Sequence, residues 1–469
     1  MFKFKRVTVY VLVMVLIFGV MVSNVLAEKV TISVANMLGW TVSEPLWGLA
    51  EEELPDINIS RIETPVSELR LKQLLEAKLK TGVYDVFQFA KDVGPIFRPF
   101  LFPIQDFIEA DPEWDFDQSM DLISPITKEG WFLADGKIGM VPFTGDAQFG
   151  IYRMDFFTDP KERNAFKEQY GQELPQPDQQ GMIKFENIDH FINVTKFFTR
   201  DTNNDGKIDL WGLVQPGKDV HGNDRFLCEL LRAGLNLFDE SGHSLWGPAH
   251  PENKEMVKAI AAYDQDLIFK YKVSPSYIVS MAMAQIMPTY YNGEAVMLIS
   301  YLGNYWAEVN RSELISKIGK TGTFNPSFLD YAFNKKPHEA GTCAGGWEWG
   351  ISLDSKNKEA AYKFIKWTVD PNTWKKRFEY ASKNFQGCTI PGRKDIAEWA
   401  VKMGYLPPAM YEAFKTGRPM PSNIPQLVNA VLILREYHEK LIGRQITSGM
   451  FVEITGNEIE KIMHEAGYF

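Results

Sequence analysis

Polar and apolar residues alternate from Lys29 to Met37, with Val30, Ile32 and Val34 on one side, and this predicts a strand. Ile57–Glu63 alternates in the same way. Between the two lies a polar stretch that carries Trp40 and Trp47. After the second strand Ser67 is placed to cap a helix whose apolar positions Leu71, Leu74, Leu75 and Leu79 follow helical spacing, and Gly82 supplies its stop. The apolar run Val83–Phe89 then predicts another short strand. Strand, helix and strand at this spacing argue for a βαβ unit and a parallel sheet.

Leu133–Pro142 reads as a turn and a strand, and a long, mostly helical region follows from about Lys161 to Pro288. Met297–Trp306 is apolar and broken by glycine. Gly345–Ser352 reads as a strand, and Lys356–Val369 as an amphipathic helix with Ala361, Phe364, Ile365 and Thr368 inward. The rest is mainly helical, with proline breaks near Leu406–Pro408 and Pro419–Pro425. The pattern supports an α/β chain of two units, as does a length of 469 residues.

The first residues change the picture of where the chain works. MFKFKR precedes an apolar run, Val7–Val22, and then SNVLA. That is a basic segment, an apolar segment and a small-residue cleavage site, which predicts a signal peptide over 1–27 cut after Ala27. The apolar run is short for a membrane span. No cysteine lies near the cut, so the expectation is a periplasmic or secreted protein without a lipid anchor and without a membrane-spanning segment. A net charge of −10 argues against nucleic acid as a partner. Three cysteines, Cys228, Cys343 and Cys388, exclude a disulfide scaffold and leave open either one bridge, Cys343–Cys388, or three free thiols.

Enzyme signatures such as GxSxG, HExxH, CxxC and the phosphate-binding loop are missing. A glycoside hydrolase stays open as a reading, because its two carboxylates need no fixed spacing. DTNNDGKID places Asp201, Asn203, Asp205 and Asp209 at the first, third, fifth and ninth positions of a calcium loop, with Gly206 at the sixth. Lys207 completes the candidate ligand set, while the twelfth position, normally glutamate, is Gly212. A structural calcium and a metal-free polar turn are the two readings. The pair Tyr290 and Tyr291 raises a minor ferric-ion reading.

Several segments together resemble the maltose-binding type of bacterial extracellular solute-binding protein. LEAKLKTGVYDVFQFAKD is similar to that family's helix, glycine, strand and pocket aspartate. DGKIGMVPFTGDAQFGIYRMDFF, YNGEAVMLISYLGNYW and AGGWEWGISLDSKNKEAAYKFIKWTVDP resemble three further family stretches, with Arg153 where asparagine is usual and Glu294 in place of lysine. The resemblance implies a two-lobed periplasmic-binding-protein fold of type II with the ligand cleft between the lobes. It places crossovers near Val141–Thr144, Met297–Leu302 and Gly345–Trp349. Lobe one would hold 28–143 and 302–345, and lobe two 144–301 and 346–469. It also implies a sugar or oligosaccharide delivered to the membrane subunits of an ABC transporter by hinge closure, and a monomer. A binding protein for a non-sugar ligand and a secreted carbohydrate-active enzyme are the alternatives.

A sugar needs flat rings against its C–H faces and planar carboxylates or amides for its vicinal hydroxyls. In open α/β sheets ligands sit beyond the carboxyl ends of the strands. The ligand candidates are therefore Trp40, Asp92, Asp146, Gln148, Trp306, Trp347 and Trp349. Asp92 matches the family's pocket aspartate, and Trp347 and Trp349 share a face of any regular strand.

Overall fold

The computed structural model describes residues 29–38, 44–90, 93–114, 133, 135–326, 344–384, 389–391, 394–417 and 424–469. The expected signal peptide, Trp40, Asp92, Cys343 and Cys388 lie outside the described residues. Cys228, within them, is buried.

The strands in chain order are β1 (Val30–Met37), β2 (Ile57–Thr64), β3 (Val86–Ala90), β4 (Met140–Ala147), β5 (Phe149–Arg153), β6 (Met182–Ile183), β7 (Trp211–Val214), β8 (Ala295–Ser300), β9 (Thr321–Phe324), β10 (Ala344–Ile351) and β11 (Ile390–Pro391). They form two sheets, one ordered β11-β4-β10-β3-β1-β2 and the other β6-β9-β5-β8-β7. β1 pairs in parallel with β2 and with β3, as the alternating pattern predicts. β10 runs antiparallel between β3 and β4. In the second sheet β5 runs antiparallel to both β8 and β9.

The helix that joins β2 to β3, Val66–Leu79, turns the opposite way from a simple apolar reading. Leu71, Leu75 and Leu79 face solvent, and the buried line is Leu69, Gln73 and Ala77. Gln73 earns its place by hydrogen bonding: its amide donates to the Gln88 carbonyl at 2.7 Å and accepts from the Gln88 N–H at 2.9 Å. That exchange ties the helix to β3 as a neighbouring strand would.

Strand pairing corrects the expected lobes. Thr321–Phe324, expected in lobe one, pairs with β5 and β6 of the second sheet. Ala344–Ile351, expected to cross between lobes, lies wholly in the first sheet. Met297–Leu302 does not cross either, since β8 sits between β5 and β7 with every residue buried. The first crossover falls later than expected, at the single residue Gln148 between β4 and β5. The reason is packing: Phe324 stands edge-on to Phe185 at 5.3 Å in the second sheet's core, while Trp349 packs on Phe143 at 4.8 Å in the first.

Helix Pro408–Thr416 packs on β4, β5 and β9, so it touches both sheets. Its Phe414 ring would stand 2.4 Å from the first side-chain carbon of any residue but glycine at Gly145. The last two helices, Leu427–Ile442 and Ser448–Glu465, pack with Asp219–Arg232 and Lys254–Phe269 beside the second sheet. Among the described residues no helix is long and apolar enough to cross a membrane.

A histidine pairing beside the C-terminal helix makes a pH prediction. The His250 ring nitrogens lie 2.9 Å from Asp239 and 3.0 Å from Glu252, so both donate only when the ring is charged. The hydrogen bond to Asp239, then that to Glu252, raise the imidazolium above its ordinary range. A raised folded pKa stabilises at low pH: the contribution is complete below about 6.5, the unfolded value, and is lost as pH rises through the folded value. Urea unfolding of wild type and His250→Gln should therefore differ most below that pH and converge above it.

Candidate functional site

The two sheets meet where β4 gives way to β5 and where β10 starts. Gly345 and Gly346 stand opposite Asp146 and Gly145 on β4. Gly346 takes a φ of 142°, a conformation that favours glycine. Gly345 leaves a space: the position of its missing side chain is 3.8 Å from the Asp146 Cβ and 3.8 Å from Tyr301 Cε1. Asp146 belongs to the first sheet, and Tyr301 directly follows β8 of the second. Half-buried Asp146 and half-buried Tyr301, one from each sheet, thus border the same space beside Gly345.

Tyr301 was not among the sequence candidates. It sits at the carboxyl end of a fully buried strand, which is the signal that could have found it. Its hydroxyl lies 3.3 Å from the Cys228 sulfur, on helix Asp219–Arg232. Asp146 accepts the Ala147 N–H at 2.8 Å.

The other candidates divide. Trp347 is half-buried and pairs across to Ala90, the last residue of β3, so it stands beside the end of that strand. Trp349 is fully buried, 4.8 Å from Phe143 and 5.7 Å from Phe364, and is a core residue rather than a ring platform. A register shift between Trp347 and Glu348 leaves Phe143 as the extra residue on β4. Such a bulge bends β4 where it faces the two rings, and Trp347 and Trp349 end in different surroundings. Gln148 is fully buried, and its Oε1 accepts from Arg232 at 3.2 Å. It supports the crossover from inside and offers no face to a ligand. Trp306 is half-buried, and its indole N–H donates to the Gly404 carbonyl at 3.3 Å.

Beneath this junction helix Asp219–Arg232 carries buried charge. Arg225 pairs with Glu229 at 3.1 Å and with Asp264, whose other oxygen lies 3.2 Å from His438 Nε2. Burial, and next the Asp264 charge, push the Glu229 carboxyl well above its ordinary range. Burial opposes the Asp264 charge, but Arg225 and then His438 outweigh it and hold that carboxyl low.

The expected calcium ligands form an exposed loop that closes on itself. Asp201 accepts the Asp205 and Gly206 N–H groups, Asn203 accepts that of Asp205, and Asp205 accepts that of Lys207. Asp209 accepts both the N–H and the hydroxyl of Thr202 at 2.8 Å. Among the described residues no group of three or more His, Cys, Asp or Glu side chains is arranged to hold a metal ion. Tyr290, in the ferric-ion reading, is buried against Thr321, and burial raises its phenol, which disfavours a tyrosinate.

Residues 40–371 match the model of the family described as bacterial extracellular solute-binding protein. Among solved structures, the maltose-bound MalE3 of T. maritima superposes with a TM-score of 0.67 at 22% identity, covering 92% of this chain and 100% of that one. A solute-binding protein from Thermotoga lettingae TMO, bound with alpha-D-tagatose, gives 0.67 at 16% identity over 93% and 100% of the two chains. The GacH receptor of Streptomyces glaucescens, solved unliganded and with acarbose, gives 0.67 at 16% over 93% and 99%. At these identities the likeness establishes the fold, a two-lobed binding-protein architecture of type II.

Proposed function

The chain belongs to the bacterial extracellular solute-binding protein family, and from that premise we propose that it captures a sugar or oligosaccharide between its lobes and delivers it to an ABC transporter by hinge closure. The observation that carries this reading is that Asp146 and Tyr301, from different sheets, both border the space left by the bare Gly345. A carboxylate and a ring are what a sugar's hydroxyls and C–H face require. A guest that touches both sheets binds the closed form better than the open one, and that difference drives closure. The sugars and polyol-like ligands in the related structures support the ligand class.

The lobes in this reading are residues 29–147 with 344–402, and 149–326 with 427–469, following the sheets. The mature chain works as a monomer outside the cytoplasmic membrane after cleavage at Ala27. No catalytic step is part of the proposal, and a reducing-sugar assay should stay flat. The test is a thermal-shift panel of mono- and oligosaccharides, with polyamines and phosphodiesters beside them. A ligand at 100 times its Kd adds about 2.7 kcal/mol of stability. One sugar should raise the melting temperature, and Tyr301→Ala should abolish most of that rise. A panel in which no sugar shifts melting, or in which a non-sugar does, would overturn the ligand class.

No cofactor enters this mechanism. The 201–209 loop is held by its own hydrogen bonds, so melting in calcium and in chelator should coincide. A rise with calcium would restore the structural calcium site at Asp201, Asn203, Asp205, Lys207 and Asp209.

A further inference from the structure

We infer that Arg232 is a positioning residue for ligand capture: it holds the Gln148 crossover and so sets the resting angle of the two lobes. The inference rests on the binding reading above. Gln148 is the one residue between β4 of the first sheet and β5 of the second. Any change in the angle between those sheets must be absorbed by the backbone there and at the chain's later crossings.

The Gln148 side chain is not free to follow such a change. It is fully buried, and its Oε1 accepts from Arg232 Nη2 at 3.2 Å. Arg232 is 1% exposed and ends helix Asp219–Arg232. A guanidinium buried this deeply is costly to desolvate, and its rigid planar fork fixes direction as well as distance.

The helix behind it is anchored in turn. Arg225, seven positions earlier on that helix, pairs with Asp264 on helix Lys254–Phe269, and Asp264 meets His438 on helix Leu427–Ile442. Cys228 of the same helix holds the Tyr301 hydroxyl at 3.3 Å. One anchored helix therefore indexes both the pivot, through Arg232, and the second-sheet wall of the site, through Cys228. Arg232 acts through Gln148 and has no part in touching the sugar.

The experiment uses the mature chain, maltose and the sugars of the panel above, with X-ray scattering of the ligand-free protein and calorimetric Kd. Arg232→Met keeps bulk and loses the donors. It should change the ligand-free scattering profile and weaken the Kd about tenfold, the scale of one charge-assisted hydrogen bond, and Arg232→Lys should recover most of both. Gln148→Glu gives Arg232 a carboxylate in the same place and should shift the ligand-free profile in the opposite sense. If Arg232→Met fails to fold, Gln148→Glu decides alone. Scattering and affinity both unchanged in the folded variants would overturn the inference. So would weaker affinity with unchanged ligand-free scattering, which would put Arg232 against the ligand itself. If wild type binds no sugar at all, the binding reading fails, while the ligand-free profiles still decide the role of Arg232.

Discussion

Trp349→Ala should cost about 3–5 kcal/mol of stability, whereas Trp347→Ala, two residues away, should cost clearly less stability and weaken sugar binding up to roughly tenfold. Trp349 is wholly buried, with Phe143 at 4.8 Å and Phe364 at 5.7 Å. The Phe143 ring is itself covered by the Arg377 guanidinium at 4.7 Å and flanked by Trp374 at 6.0 Å. Removing the indole leaves a cavity walled by rings that cannot collapse into it, which puts the cost at the high end for a large-to-small change. Trp347 is half-buried beside the end of β3 and packs on the core only from its edge, so truncation removes less core support than at Trp349. Urea unfolding and sugar titration of both variants separate the two roles. Equal unfolding costs would show that the bulge between the tryptophans does not divide core from cleft.

How far the sequence reveals this arrangement depends on which kind of information each element carries. β1 and β2 were legible from period-two alternation and β3 from its short apolar run, and the intervening helix points to parallel pairing. The four residues of β9 are all buried and show no alternation, and the two of β6 are too few for any period, so neither announces itself in the sequence. Burial also says nothing about which sheet a strand joins, and so β9 and β10 were exchanged between lobes. The leucines of helix Val66–Leu79 misled for a related reason: a polar side chain, Gln73, takes the inner face because it completes the hydrogen bonds of β3.

The site was partly readable. Asp146 lies at the junction, and Trp347 stands half-buried near it. The alternation that grouped Trp347 with Trp349 could not foresee the shifted register between them. Tyr301 was hidden in an apolar run whose end only the second sheet defines. The charges of helix Asp219–Arg232 look from sequence like a solvated face. They are buried because Asp264 and His438 arrive from two distant helices to meet them.

That cluster yields a second large effect, and its size depends on the partner. Asp264→Ala should cost about 3–5 kcal/mol, because it leaves the buried Arg225 without the carboxylate that neutralises it. Glu229 is also in reach of Arg225, at 3.1 Å, yet burial and next the Asp264 charge push its carboxyl well above its ordinary range, which favours the neutral form. Glu229→Gln in the wild type therefore mimics the form that burial favours and should cost under about 1 kcal/mol. In an Asp264→Asn background the repulsion is gone, and Glu229 becomes the only carboxylate facing Arg225 among the partners seen here. Adding Glu229→Gln there should cost several times more than in wild type, a coupling of about 1–3 kcal/mol in the double-mutant cycle. Urea unfolding at neutral pH measures all four corners. The same cost for Glu229→Gln in both backgrounds would mean that Glu229 is ionised from the start, and that the two acids do not compete for one arginine.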